Sequence, residues 1–247
     1  MRTLVLGDTH GRSFWKLIVN TEKHDRVIFV GDYFDSFEIK TDEQVNNFLD
    51  IIEYKKSSGK EVILLIGNHD THYFTSIGNC GISGYQGIGK LMIEPVIEAN
   101  KEHLQMAYQM DELLFTHAGV SSVFMNDVFG TDGWKVENIA NDLNELFKYK
   151  PNTFRFVQPP FSFSDSSGDN VYQTPIWIRP RSLMKANSDT LRKKVIQVVG
   201  HTYQNQIDIL GKATGCRYFF IDTLAASGEY LIIEDKCITT GNFRQKS

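Results

Sequence analysis

The chain has 247 residues, 41% of them hydrophobic and 23% charged, with 26 basic residues against 30 acidic ones and a net charge of −4. That composition excludes disordered, fibrous and coiled-coil chains, and the length is one that a single α/β domain can fill. The acidic balance argues against a broad grip on long nucleic acid, and no apolar run approaches the ~20 residues that cross a bilayer.

The first apolar run, Leu4-Val5-Leu6, reads as a strand and ends in a polar loop, Gly7-Asp8-Thr9-His10-Gly11, unlike a signal peptide. Residues 14–20 read as a short amphipathic helix. Val27-Ile28-Phe29-Val30 is a second strand. A helix over 42–56 follows, with Thr41 and Gln44 spaced as a capping box. Val62-Ile63-Leu64-Leu65-Ile66 is a third strand, and the strand–helix–strand alternation implies a parallel sheet with right-handed crossovers. Five glycines in 78–91 mark a surface loop. Leu113-Leu114-Phe115 and residues 195–199 are further buried strands, continuous in apolar residues as strands covered on both faces are. Between them, 135–149 has helical periodicity, and 150–175 reads as a long loop or lid. Residues 217–222 and 229–239 read as a hairpin or meander turning at Ser227-Gly228. No repeat or linker divides the chain, so one catalytic domain over 1–247 is expected, with a lid or insert around 125–176.

Residues suited to chemistry cluster just past the C-terminal ends of five strands: Asp8 and His10, Asp32 and Asp35, Asn68 and His69, His117, and His201. In open α/β sheets that edge is where ligands bind. Singly, a Gly-Asp after a strand is usually a turn, and a buried histidine is usually hydrogen-bonded core. Five clusters at equivalent strand ends are not explained by turns. The donor set is too rich in imidazole for Ca²⁺ or Mg²⁺ alone and lacks the thiolates of structural zinc. Mn²⁺, Fe or Zn²⁺ suit it. Six ligands exceed the needs of one tetrahedral ion, so two divalent ions are expected, bridged by a carboxylate at ~3.5–4 Å. The three cysteines, Cys80, Cys216 and Cys237, are too sparse for a disulfide framework and point to a reducing, cytoplasmic compartment.

The blocks Gly7-Asp8-Thr9-His10-Gly11, Gly31-Asp32-Tyr33-Phe34-Asp35, Gly67-Asn68-His69-Asp70, Thr116-His117-Ala118-Gly119 and Gly200-His201-Thr202 resemble, in order and spacing, the signatures of calcineurin-like metallophosphoesterases. They are most similar to the branch holding phage and bacterial Ser/Thr phosphatases, diadenosine tetraphosphatase and bacterial polynucleotide phosphatases. The resemblance implies an α/β fold, a two-sheet β-sandwich flanked by helices with its active site at the C-terminal strand ends. It implies that Asp8 and His10 bind a first metal, that Asp32 bridges both, and that Asn68, His117 and His201 hold the second. It makes His69 the general acid and Asp35 the residue that orients it. Mn²⁺ is the expected ion, with Fe or Zn²⁺ as alternatives. The implied reaction is phosphomonoester hydrolysis by a metal-bridging hydroxide, on Ser/Thr phosphoproteins. The alternative is a nucleotide or polynucleotide-end phosphatase or a dinucleoside polyphosphate hydrolase, and a third reading is a catalytically silent phosphate-binding module. The chemistry agrees independently: charge on the phosphoryl oxygens must be neutralised and the departing alkoxide needs a proton. No membrane partner is implied.

Two departures bear on the substrate. Asp35-Ser36-Phe37 stands where the protein phosphatases carry Asp-Arg-Gly, so the phosphate-gripping arginine of that block is missing. Arg179 is the expected replacement, with Arg12 and Arg181 as alternatives, because guanidinium forks match phosphate oxygens; Asn68 is also expected to touch substrate. Gly200-His201-Thr202-Tyr203 lacks the second histidine of Gly-His-x-His, so the first metal is expected to have only Asp8, His10, Asp32 and solvent. His72 is a candidate substrate contact and Asp70 a support for its turn. Phe154, Phe156, Phe161, Phe163 and Tyr172 form a candidate stacking platform.

Overall fold

Alternate side chains of a strand point to opposite faces, so a strand covered on both sides must be apolar at every position. In the computed structural model, which describes residues 1–77, 84–157, 169–210 and 217–245, this is the reason for the continuous runs. In β1 (Arg2–Leu6), Leu4 and Leu6 pack under helices while Val5 faces a second sheet, all three fully buried. In β2 (Arg26–Phe29), Val27 and Phe29 face the helices and Ile28 the second sheet.

The helices over the first sheet are α1 (Phe14–Thr21) and α2 (Thr41–Ser57), which place Trp15, Ile18, Phe48 and Ile51 against it. With β3 (Glu61–Leu65), α3 (Asn68–Thr71), α4 (Lys90–Ala99), β4 (Leu104–Gln105), β10 (Glu229–Glu234) and β11 (Cys237–Asn242), the first sheet has the order β11-β10-β1-β2-β3-β4. Its β1 to β4 are parallel, and β10 and β11 are antiparallel additions. The second sheet contains β5 (Ala107–Met110), β6 (Leu113–Thr116), β7 (Ile196–Val199), β8 (Asp208–Leu210) and β9 (Arg217–Phe220), in the order β5-β6-β7-β9-β8. Here β6, β7 and β9 are parallel, and the edges β5 and β8 run antiparallel. Between the sheets, Val5, Ile28, Leu65 and Leu231 meet Phe115, Val198 and Phe219. The outer face of the second sheet is covered in part by α7 (Pro180–Ala186), through Leu183 and Ala186, with α5 (Ser122–Phe129), α6 (Ile139–Tyr149) and α8 (Asp189–Lys194) completing the helices. This is the expected α/β sandwich, with both sheets mixed. No helix among the described residues is long and apolar enough to cross a membrane.

Three local expectations differ. Residues 217–222 and 229–239 do not pair: β9 belongs to the second sheet and β10 to the first. The hairpin is β10–β11, turning on Asp235 and Lys236 with φ of +48° and +66°. Two consecutive positive φ values match the right-handed twist of the flanking strands; Asp suits the first position, while Lys stands where Gly usually signals such a turn. Thr41 is the first helical residue of α2, preceded by Lys40 with no side-chain cap. Gln44 instead reaches into the loop, accepting from the backbone N of Ser36 (3.2 Å) and donating to the carbonyl of Ile39 (2.6 Å). The expected loop over 78–91 gives way to α4 at Lys90, and its residues 78–83 lie outside the described residues, as do 158–168 of the expected lid, Cys80 and Cys216.

Candidate metal centre

Parallel strands from both sheets end on one edge, and their following residues meet there. Four of them, His10, Asp32, Asp35 and His201, hold positive φ of 42° to 66°. Non-glycine residues adopt that region at a cost, and such strain concentrates at functional sites. The glycines of the blocks allow close approach. A Cβ on Gly67 would stand 2.1 Å from Asp32 Oδ1 and 2.4 Å from the Asp32 backbone N; one on Gly200 would stand 2.0 Å from Asp8 Oδ1. Because the Asp32 backbone cannot yield, Gly67→Ala is expected to lower stability by ~1–3 kcal/mol and to release metal; thermal melts with metal titration check both.

The orientation of each imidazole is fixed by one backbone carbonyl. His10 Nδ1 donates to Phe34 O (2.6 Å), His117 Nδ1 to Val30 O (2.8 Å), and His201 Nε2 to Trp177 O (3.1 Å). A carbonyl only accepts, so the proton of each neutral ring sits on that nitrogen and the other nitrogen turns its lone pair to the site. Those lone pairs face other acceptors. Asn68 Oδ1 lies 2.9 Å from His117 Nε2 and 2.7 Å from His201 Nδ1, while Asp32 Oδ2 lies 3.3 Å from His117 Nε2 and 3.8 Å from His10 Nε2. Acceptors at such separations need a positive charge among them. Ligands at ~2.0–2.2 Å around a common ion stand about 3 Å from one another, so the donor set fits divalent metal. It divides into Asp8, His10 and Asp32, and Asp32, His117 and His201, with Asn68 joining the latter.

Without metal, the same demand for positive charge falls on protons of the site's own groups, His117 included. Burial, then the charges of Asp222 and Asp32, push the Asp8 carboxyl well above the usual range. Burial also opposes ionisation of Asp32, but His117, His69 and His10 outweigh it and hold that carboxyl well below. Burial disfavours a charged His117, yet the charge and hydrogen bond of Asp32 win and raise it. His201 is driven well down by burial and then by the charge of Arg179, which keeps it neutral and able to coordinate.

Beside this cluster, His69 donates from Nδ1 to Asp35 Oδ2 (3.0 Å), leaving Nε2 for the cleft. Its backbone N donates to Asp32 Oδ1 at 2.9 Å. Asp35 is held from behind by His72 Nδ1 (2.8 Å), Tyr73 Oη and the backbone N of Gln86 (3.2 Å). Burial pushes Asp35 up, but the hydrogen bonds from His69, His72 and Tyr73 keep it ionised and below its ordinary value. His72 is 1% exposed, so it supports Asp35 from inside and does not line the cleft. Asp70 accepts from the backbone N of Asp32 (2.9 Å), Tyr33 (2.8 Å) and Gly67 (2.8 Å), tying two of the blocks together.

A sequence profile described as calcineurin-like phosphoesterase matches residues 1–223. The chain belongs to the calcineurin-like phosphoesterase family. No curated protein matches the sequence. Among solved structures, this phosphoesterase is similar to a cold-active protein-tyrosine phosphatase of a psychrophile, Shewanella sp., at 15% identity and a TM-score of 0.62, covering 98% of this chain and 78% of that one. A second structure described as cold-active protein tyrosine phosphatase aligns at 18% identity and a TM-score of 0.65, covering 98% and 76% of the two chains. A protein serine/threonine phosphatase from Saccharomyces cerevisiae aligns at 15% identity and a TM-score of 0.53, covering 98% and 80%. At these identities the likeness is one of fold.

The phosphoesterase places its three candidate arginines differently. Arg179 precedes α7 and donates from Nη1 to His201 O (3.3 Å) and Thr202 Oγ1 (3.2 Å), beside the second ligand group. Arg12 lines the cleft with His10 and His69 but is paired to Glu38 at 2.8 Å. Arg181 is exposed on α7. Tyr203 is 61% exposed. Of the aromatic stretch, Phe154 is buried, Phe156 packs on Trp177 (5.1 Å between rings) and Tyr172 is exposed; Phe161 and Phe163 lie outside the described residues.

Sequence reasoning missed Asp222, which follows β9 as the other blocks follow their strands. It is 8% exposed, and burial followed by the charge of Asp32 pushes it up to about 6. Asp70 is pushed up to about 7 for the same two reasons. Both hold protons in the folded, metal-free protein that unfolded carboxyls, ordinarily titrating near 3.8, have released. Their contribution is therefore greatest below about pH 4 and is lost as pH rises toward 7. In chelator, this loss tilts Tm downward toward about pH 8, most clearly above about pH 6.5, where the opposing slope from the lowered His10 and His201 has ended. Metal that displaces these protons flattens that slope and adds about 2.7 kcal/mol per site at a hundredfold excess over Kd. A Tm in chelator that climbs above about pH 6.5 refutes the assignment.

Proposed function

We propose that this metal-dependent phosphatase hydrolyses phosphomonoesters at a dinuclear site, the whole chain forming one catalytic unit with a lid or insert around 125–176. One observation carries the reading: lone pairs of His117, His201, Asn68 and Asp32 face one another at 2.7 to 3.3 Å beside the His69–Asp35 pair. Asp8, His10 and Asp32 would hold one ion, and Asp32, Asn68, His117 and His201 the other, with Mn²⁺ the first choice and Fe or Zn²⁺ the alternatives. Bound divalent ions supply Lewis acidity at the phosphoryl oxygens and bring the pKa of a water to near 7.

The chain's own residues do the rest. Arg179 grips a phosphoryl oxygen from the His201 side. Asn68 Nδ2, buried and without a hydrogen-bond partner among the described residues, offers a second donor. His69 gives its Nε2 proton to the departing oxygen, and Asp35 holds the ring in place through its Nδ1. The substrate class is a phosphoprotein or another compact phosphomonoester. The Ser/Thr preference rests on the motif resemblance, and nucleotide phosphates are the competing substrates.

The test is turnover with Mn²⁺ on a generic aryl phosphate, followed by phosphopeptides, an oligonucleotide 3′-phosphate and a dinucleoside polyphosphate. Metal-dependent release of phosphate from monoesters is expected. Full metal occupancy with no turnover on the panel would establish a silent binding module instead, and preference for the dinucleotide would move the reading to the nucleotide alternative.

A further inference from the structure

The residue after Asp35-Ser36 is Phe37, and it is 85% exposed. Its exposure follows from how the turn is built. Ser36, standing where the resemblance would place an arginine, is only 4% exposed. Its Oγ accepts from the backbone N of Glu38 (3.2 Å) and Ile39 (3.1 Å), and its own N donates to Gln44 Oε1 (3.2 Å). Gln86 Nε2 donates to the Ser36 carbonyl, and Gln86 N to Asp35 Oδ1 at 3.2 Å. The backbone on the N-terminal side of Phe37 is thus held by two other segments while its ring is left in solvent.

That ring stands over the cleft that His69 faces. The cleft holds about 170 Å³ and is lined by His10, Arg12, Asp35, Ser36, Phe37, Glu38 and His69. A Cβ at Gly84 would lie 3.0 Å from His69 Cε1 and 3.1 Å from Phe37 Cζ, so a side chain at position 84 would crowd the edges of both rings, and glycine leaves that side of the cleft open. A space of about 150 Å³ is enough for benzene.

We propose that Phe37 is a specificity-determining residue whose ring receives a single flat aromatic leaving group, a phenol such as the tyrosyl side chain, as it departs toward His69. The inference rests on the phosphomonoesterase reading, because it is His69 as proton donor that puts the leaving group on this side. An alkyl alcohol such as seryl or threonyl leaves the Phe37 face wet. A phenyl group buries both rings, and offset or edge-to-face pairing adds to the area term. Glu38, beside Phe37 and paired to Arg12 at 2.8 Å, also disfavours further phosphates at the mouth, as a nucleoside polyphosphate would bring.

Phenols are better leaving groups than alcohols, so an aryl preference in the unaltered enzyme decides nothing. The test is the change on substitution. Matched phosphotyrosine and phosphothreonine peptides are compared in the Mn²⁺-loaded wild type, Phe37→Ala and Phe37→Tyr. Phe37→Ala is expected to cut the tyrosine-to-threonine ratio of kcat/KM about tenfold, through KM, and Phe37→Tyr to restore it. Calorimetry supplies a readout without turnover: the advantage of phenylphosphonate over methylphosphonate in Kd is expected to shrink by a similar factor in Phe37→Ala. A ratio and a phosphonate advantage that do not respond to position 37, or two peptides that lose activity together, overturn the inference while leaving the phosphatase reading intact. No turnover of any monoester by the wild type overturns that reading, and this one with it.

Discussion

Asp32→Asn is expected to lower kcat/KM at least about a thousandfold, or about 4 kcal/mol of transition-state stabilisation, and to leave fewer than two metal ions per chain. Asp32 is the one side chain shared by both ligand groups. Its Oδ2 faces His117 at 3.3 Å and His10 at 3.8 Å, and its Oδ1 accepts from the backbone of His69 at 2.9 Å. An amide keeps the size but removes the charge and offers a donor where the site needs an acceptor. Stability falls too. In the metal-free fold the charges of His117, His69 and His10 favour the ionised Asp32 over its neutral form, and the amide forfeits that attraction. The Tm of Asp32→Asn in chelator is expected to lie below that of the wild type. Elemental analysis, kinetics and melts on one preparation check the three claims. A variant with two ions and the wild-type rate would exclude Asp32 from the centre.

His69→Ala is expected to cost ~10²–10⁴ in kcat with metal content unchanged. The ring contributes no atom to either ligand group built on Asp32, and Asp35, which it pairs with at 3.0 Å, stays held by His72 and Tyr73 when the ring is gone. If His69 protonates the departing oxygen, the loss grows with the basicity of the leaving group. Alkyl phosphates then fall toward the upper end of the range, while aryl phosphates bearing electron-withdrawing groups fall least. The slope of log kcat against leaving-group pKa steepens in the variant. A uniform loss across that series, or the departure of metal, would assign His69 a structural role.

These expectations draw on parts of the protein that became legible at different stages. The five blocks were readable because their requirements are local. Gly67 and Gly200 are glycine because a Cβ would overlap Asp32 and Asp8, and the residues that follow the strands are polar because they leave the apolar layers together. The strand assignment of 217–222 was also local, but its partner was not. β9 and β10 are close in sequence and alike in composition, yet one joins β7 and the other β1, since what selects a partner is the apolar face it covers across the sandwich. The same misreading hid Asp222, which lies past a strand end like the others. His72, one candidate for touching substrate, sits behind Asp35, because a helical turn after Asn68 points it inward.

Residue type and spacing in the chain determined the chemistry, since oxygen and nitrogen donors placed after buried strands can do little but converge at the sheet edge. The fold alone decided how those donors are aimed. The carbonyls of Phe34, Val30 and Trp177 choose which nitrogen of each histidine is free, and backbone carbonyls carry no signature in a sequence. It also decided that Ser36 turns inward and Phe37 outward, because that choice depends on Gln44 and Gln86 arriving from elsewhere to hold the turn.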